Sequence, residues 1–232
     1  MMIFLQNLKR RFRMSNSKLK KSAIFFRNYL ESQDYLKLLQ FDLIQLLESS
    51  GFFYGFDYSL KGRYKTPQSI IEKIDRKGYK EMKQLTDLMG VSIVCRSQED
   101  VPKIQHIIND HFKCVEISDY YKHTPKSGYT ALHMDIKYKT MPVEIQIKDT
   151  LSKIKQKYVH DRIYKSDLEN KEMVNAIFVK KIDEIFSKRK ITSLDEYLTA
   201  RDIKKLDKEL SHFPQKKRQI VHSVSCEEAV EL

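Results

Sequence analysis

Ala131 to Asp149 reads ALHMDIKYKTMPVEIQIKD. Its apolar residues fall on alternate positions: Leu132, Met134, Ile136 and Tyr138, then Val143, Ile145 and Ile147. Alternation of this kind marks a strand with one buried face. Two such runs in succession predict a hairpin pair. In the second run Glu144 and Gln146 take the intervening positions and share the opposite face. An acid in mid-strand is costly to desolvate unless it is paired or holds a metal.

Outward from the hairpin the pattern changes period. Val91–Cys95, VSIVC, is an apolar run of strand type, and Cys114–Ile117 is another. Between them, Val101 to Phe112 sets Val101, Ile104, Ile107, Ile108 and Phe112 on one helical face. Phe52–Leu60, FFYGFDYSL, predicts a short aromatic strand. Residues 16–50 predict a helix, from Ile24 and Phe25 through Tyr29, Leu30, Tyr35, Leu36, Leu39 and Leu43 to Leu46 and Leu47, stopped by Ser49, Ser50 and Gly51. From Leu151 the chain reads as helical and basic. A second stripe (Met173, Val174, Ile177, Phe178, Ile182, Ile185) spans Asn170 to Phe186. Pro214 to Leu232 reads as a partly disordered tail. The expected fold is α+β: a small mixed sheet with helices packed on it. The expected division is a helical extension at 1–60, a central domain at 61–165 and a second helical extension at 166–232.

The 232 residues carry 43 Lys and Arg against 31 Asp and Glu, a net charge of +12 that favours polyanionic partners. Only 6 Gly and 5 Pro argue against a long linker. Cys95, Cys114 and Cys226 lack zinc-site spacing and read as thiols of a reducing cytoplasm. No apolar run approaches the ~20 residues of a membrane span, so no membrane partner is expected. At the start, an apolar stretch precedes Lys9, Arg10, Arg11 and Arg13, the reverse of a secretory signal, and Met14 is a second candidate initiator.

Three segments carry chemistry. In Gly62–Lys77, GRYKTPQSIIEKIDRK, a helix opened by Pro67 puts Ser69, Lys73, Arg76 and Lys77 on one face, with Arg63 and Lys65 on the loop before it. Cations around a helix N-terminus suit a triphosphate, though a solvated basic face has the same pattern. Asp87, in TDLMGVSIVC, stands just before a strand. Asp87 and Glu144 brought together would offer hard oxygen ligands to Mg²⁺, while either alone fits a solvent-facing position. In the loop Lys122–His133, KHTPKSGYTALH, Tyr129 can stack on a nucleobase and Lys126 and His133 can meet a sugar or phosphate; a Tyr packed on the core is the other reading.

Together these segments resemble the synthetase domain of RelA/SpoT homologues, particularly the single-domain small alarmone synthetases. GRYKTPQSIIEKIDRK is similar to the family's R-x-K-S-x-x-S-I-x-x-K-x-x-R-K segment. TDLMGVSI resembles its metal segment, KSGYTALH its acceptor loop, and VEIQIKD its V-E-I-Q-I/L-R-T strand. His160 with Tyr164 and Lys165 is similar to the H-x-x-x-Y-K that follows. The resemblance spans roughly Lys61 to Lys165 and implies a nucleotidyltransferase-like mixed sheet flanked by helices. It implies a pyrophosphokinase that moves the β,γ-diphosphate of ATP onto a ribose hydroxyl. By the resemblance, Arg63 would stack on adenine, and Lys65, Ser69, Lys73 and Arg76 would hold the ATP phosphates. Asp87 and Glu144 would bind Mg²⁺, with Glu144 also a candidate base. Tyr129 would stack on the acceptor base, beside His133 and Lys126.

The departures are specific. Ser92 stands where the family has an adenine-stacking Arg, and Lys153 aligns with an Asn that contacts guanine. A lysine offers donors only, so it cannot read a guanine edge as an amide does. Together with the basic residues Lys148, Lys153, Lys155 and Lys157, and Lys18, Lys20, Lys21 and Arg27 in the N-terminal arm, this resembles the toxic subgroup that pyrophosphorylates the 3′-terminal adenosine of tRNA. Phosphate contacts would supply affinity without sequence readout. That subgroup implies a cytoplasmic toxin with a cognate antitoxin, which the C-terminal helices would seat. The resemblance also leaves room for a homo-oligomer. The alternatives are a synthetase of ppGpp, pppGpp or ppApp, and an RNA-binding module that has lost activity.

Overall fold

The computed structural model describes residues 33–78, 87–139 and 141–216. The first half of the helix expected over 16–50, the basic residues Lys18 to Arg27, both candidate initiators, Cys226 and the tail beyond residue 216 lie outside them.

Helix α1 (Gln33–Ser49) presents Leu36, Leu39, Leu43 and Leu47, all buried, at helical spacing. The aromatic run after it is not the expected strand. Asp57 turns it into a tight loop: its carboxylate accepts from Phe53 N (3.0 Å) and its own N–H donates to Phe53 O (2.9 Å). Phe53, Tyr54 and Phe56 are left exposed. The strand begins only at Tyr58, as β1 (Tyr58–Tyr64). It runs past the expected end at Leu60, because Lys61 to Tyr64 still pair along the next strand.

Helix α2 (Pro67–Lys77) is entered through Thr66, whose hydroxyl accepts from Ser69 N at 3.3 Å, an N-cap contact. Strand β2 (Met89–Cys95), helix α3 (Asp100–His111), strand β3 (Cys114–Asp119) and the hairpin β4 (Leu132–Tyr138) and β5 (Met141–Asp149) follow, close to the positions the sequence pattern predicts. The five-stranded sheet has the order β1-β2-β5-β4-β3. Only β2 and β5 pair in parallel; the other neighbours are antiparallel. The α+β class is as expected.

One face of this sheet is apolar. Met89, Val91, Ile93, Met134, Val143 and Ile145 pack there into one core with α1 and α3. Gly62 permits the close approach of α1: a Cβ there would meet Gln40 Oε1 at 2.7 Å and Leu36 Cγ at 3.0 Å. The opposite face carries Arg63, Gly90, Ser92, His133, Glu144, Gln146 and Lys148, which follow from the same alternation.

Helix α4 (Thr150–Tyr158) leaves the end of β5 with Asp149 as its cap. It runs into a π-helical segment, Val159–Tyr164. Helices α5 (Lys171–Ser187) and α6 (Ala200–Leu210) complete a second apolar cluster, built on Ile154, Tyr158, Ile163, Phe178, Ile182 and Leu206. No described helix is long and apolar enough to cross a membrane.

Candidate active site

At one end of the polar face, Lys65 and Lys73 converge on Asp87. Lys65 leaves the end of β1, where its backbone N–H donates to Leu88 O (2.9 Å) and fixes it beside the start of β2. Lys73 comes from the middle of α2 and reaches Asp87 Oδ2 at 2.7 Å; Lys65 Nζ donates to the same oxygen. Burial disfavours the Asp87 carboxylate, but the bonds and charges of Lys65 and Lys73 outweigh it, and its pKa lies below the ordinary carboxylate value. Its other oxygen, Oδ1, is buried and receives no hydrogen bond from the described residues.

Arg63 is not on a loop, as the sequence pattern predicts, but in β1 opposite Gly90. Its side chain lies over that glycine: a Cβ at Gly90 would sit 3.5 Å from Arg63 Nε. Ser69 lies one turn before Lys73, its hydroxyl 2.9 Å from Thr66 Oγ1. Arg76 is exposed in the last turn of α2. The structure thus brings Lys65, Lys73 and Asp87 into contact and leaves Arg76 open to solvent.

Across the sheet, Glu144 is the end of a relay. His133 Nδ1 lies 3.2 Å from Glu144 Oε1, and His133 Nε2 lies 2.8 Å from the Tyr129 hydroxyl. In a neutral imidazole with Nδ1–H donating to Glu144, Nε2 accepts from Tyr129. Gln146 Nε2 donates to Glu144 Oε2 (2.7 Å). Burial disfavours the Glu144 carboxylate; His133 and Gln146 more than offset this and lower its pKa. The charge of Asp87 opposes that lowering, so the two carboxylates lie within each other's field. Tyr129 meets Tyr120 and His133 edge-on, with ring centroids 5.5 and 5.8 Å away.

Sequence reasoning missed the role of Lys148. It was grouped with a basic helix, but it belongs to β5 and is 8% exposed. Its ammonium donates to Gln156 Oε1 (2.7 Å) and Gln146 Oε1 (3.3 Å), and Gln156 Nε2 donates to Thr130 O (2.8 Å). A hydrogen-bonded chain therefore runs from Glu144 through Gln146, Lys148 and Gln156 to the loop beside Tyr129. Burial, then the charge of Arg63, brings the Lys148 pKa down to about 8. The signal was available: Lys148 continues the alternation of Glu144 and Gln146. Nor is the helix that follows an open basic face. Lys153 donates to Leu194 O (2.8 Å) and Lys155 pairs with Asp183 (3.0 Å), while Lys157 is exposed. Lys126 is exposed on its loop.

Beside these residues lies a cavity of about 1200 Å³, lined among others by Arg63, Tyr129, His133, Gln146, Lys148 and Lys153 but not by Asp87 or Glu144. Pockets of roughly 300–1000 Å³ hold drug-sized ligands, so a nucleoside fits here. For Mg²⁺ the donor set is suitable. Two ionised carboxylates supply hard oxygens, and Asp87 Oδ1 is buried with no partner among the described residues. No group of three or more His, Cys, Asp or Glu forms a cage among the described residues. A magnesium ion held there would complete its shell from phosphate and water, as this ion commonly does.

Residues 62–169 match the model of the region found in RelA and SpoT proteins. This stretch of the chain is thus similar to the RelA/SpoT region. The matched residues include Arg63, Lys73, Asp87, Tyr129, His133, Glu144 and Lys148, whereas Asp183 and Leu194, the partners of Lys155 and Lys153, lie beyond them. No curated protein matches the sequence. Among solved structures, the fold is similar to small alarmone synthetase 1 from Bacillus subtilis bound to its product pppGpp. The identity is 24% and the TM-score 0.57, over 73% of this chain and 96% of that one. A GTP pyrophosphokinase family protein from Streptococcus pneumoniae is similar at 21% identity and a TM-score of 0.57, over 75% and 93% of the two chains. A complex of the Type VI effector Tas1 with its immunity protein matches at 13% identity and a TM-score of 0.51, over 71% of this chain and 97% of that one. The five-stranded mixed sheet flanked by helices is thus the RelA/SpoT-type synthetase fold.

Proposed function

We propose that this protein is an ATP-dependent pyrophosphokinase acting on the 3′-terminal adenosine of tRNA. The observation that carries the reading is the pairing of two unlike sites on one sheet face. A carboxylate wrapped in lysines stands beside a second carboxylate tied through His133 to an aromatic cavity. Such a pairing suits transfer of a highly charged group onto a hydroxyl held by its ring.

In this reading Arg63, Lys65, Ser69, Lys73 and Arg76 bind ATP and neutralise its phosphates. Asp87 and Glu144 hold Mg²⁺, which when bound spreads the charge that develops on the transferring group. Tyr129 and His133 position the acceptor. Glu144 takes the proton of the 3′-hydroxyl; the freed oxygen bonds to the β-phosphorus as its bond to the α-phosphate oxygen breaks, and AMP leaves. Lys153 and the exposed Lys157 line the cavity, and the exposed Lys126 stands between the lining residues Pro125 and Ser127; in this reading tRNA phosphates pass along them. A tRNA blocked at its 3′-end cannot be aminoacylated, so the reading makes the protein a cytoplasmic toxin. The fold shared with an effector that is bound by its immunity protein supports a neutralising partner.

A nucleotide acceptor is the second reading. It is favoured by Lys153 and Lys155, whose ammonium groups are already engaged inside the protein. The test uses ATP labelled at the γ-phosphate with GDP, GTP, AMP, ATP or bulk tRNA. Label on tRNA that disappears on trimming the CCA end is expected. Label on guanosine or adenosine nucleotides alone selects the second reading. No transfer by folded protein leaves an RNA-binding module.

A further inference from the structure

The cavity has a wall that the reaction above does not use. Helix α5 packs against the acceptor loop at Gly128, where a Cβ would stand 3.0 Å from Val179 Cγ1. Asn175 lies one helical turn before Val179, on the same side of α5, and lines the same cavity. Asn175 is 4% exposed, and its Oδ1 is enclosed and receives no hydrogen bond from the described residues. Its helix neighbours Val174 and Phe178 are fully buried in the second apolar cluster. An amide carbonyl in such a place is costly to leave without a donor.

Three polar side chains that line the cavity with it are engaged. Lys153 donates to Leu194 O, Lys148 to two glutamine carbonyls, and Gln156 to Thr130 O. What Asn175 Oδ1 lacks is an N–H donor, and a base stacked on Tyr129 would occupy the cavity that both residues line. We infer that Asn175 is a specificity-determining residue, its amide turning about its last side-chain bond so that the carbonyl accepts a hydrogen bond from the exocyclic amino group of the acceptor's adenine. The amide's own N–H₂ can meet the neighbouring ring nitrogen, the two-point match that amides make with adenine. This rests on the proposed adenosine acceptor and adds the residue that reads its base.

The experiment compares AMP with purine riboside 5′-monophosphate, which lacks only the amino group. Equilibrium binding of both is measured on the full chain and on Asn175→Leu, beside transfer to tRNA ending in adenosine or in purine riboside. The full chain is expected to lose about tenfold to a hundredfold when the amino group is absent. Asn175→Leu is expected to bind and use both forms equally, with ATP binding unchanged. Its melting temperature should rise by about 3 °C, because a buried carbonyl without a donor has been removed. Equal binding of the two nucleotides by the full chain overturns the inference, as does full discrimination by Asn175→Leu, or no binding of either nucleotide. Discrimination in binding without transfer to tRNA upholds Asn175 as the base reader and sinks the proposed reaction instead.

Discussion

At the Asp87 end, two ammonium groups from β1 and α2 crowd one carboxylate oxygen, and charge dominates the geometry. At the Tyr129 end, rings meet edge-on and a hydrogen-bonded chain through Gln146, Lys148 and Gln156 links Glu144 to the loop. Under the proposed function, the difference divides the work. A cluster of charge is suited to a polyphosphate, which it holds by field and tolerates in several poses. A network of directed bonds is suited to a ring and a hydroxyl, for which position is everything. Damage to the first end should therefore remove the reaction, and damage to the second should change what is accepted and how well.

The sharpest break is Asp87→Asn. Without its charge Lys65 and Lys73 repel one another and a candidate metal ligand is lost, so transfer should fall about a thousandfold or more, measured with γ-labelled ATP. Retention of activity would deny Asp87 any part in handling phosphate. At the other end Tyr129→Ala should cost about a hundredfold in kcat/KM for the acceptor, the scale of one lost base stack, while ATP binding persists. Tyr129→Phe keeps the ring and loses only the bond to His133, so about a tenfold drop in kcat is expected, with acceptor KM nearly unchanged. Equal losses in the two Tyr129 variants would show that the hydroxyl matters more than the ring.

Lys148 tests the network through pH. Burial lowers its pKa from 10.5 to about 8, so in that interval the unfolded chain holds a proton that the folded chain has released. Stability of the wild type should rise with pH across this window, relative to Lys148→Met, in urea unfolding carried out below and above the shifted value. A flat difference would mean that the ammonium is not buried in solution. The smallest effect is expected of Lys126→Ala, on the exposed loop: roughly a twofold rise in KM for tRNA and a salt dependence shallower by about one phosphate contact.

Much of the frame could be read from the chain. The hairpin was legible because its apolar face is buried along both strands, so the period stays at two from Leu132 to Tyr138 and again from Met141 to Ile147. The Asp87 end was legible in part because Lys65, Ser69 and Lys73 sit close together in the chain, where helical spacing carries them. The acceptor end was harder, since it joins two strands, a loop and two helices that are distant in sequence. Nothing local says that Lys153 will meet Leu194 or that Gly128 will meet Val179. The aromatic run at Phe52 misled for a different reason. Aromatic residues favour strands, but Asp57 satisfies the local backbone in a turn and the rings stay outside.

Gly128 deserves a last consequence. Its φ of +75° belongs to the left-handed region, and the space above its Cα is filled by Val179. The gap between the acceptor loop and α5 is therefore one hydrogen atom wide. Any side chain at this position would act as a wedge, prising loop from helix and carrying Tyr129 with it. The calibre of the cavity is set by an atom group that residue 128 does not have.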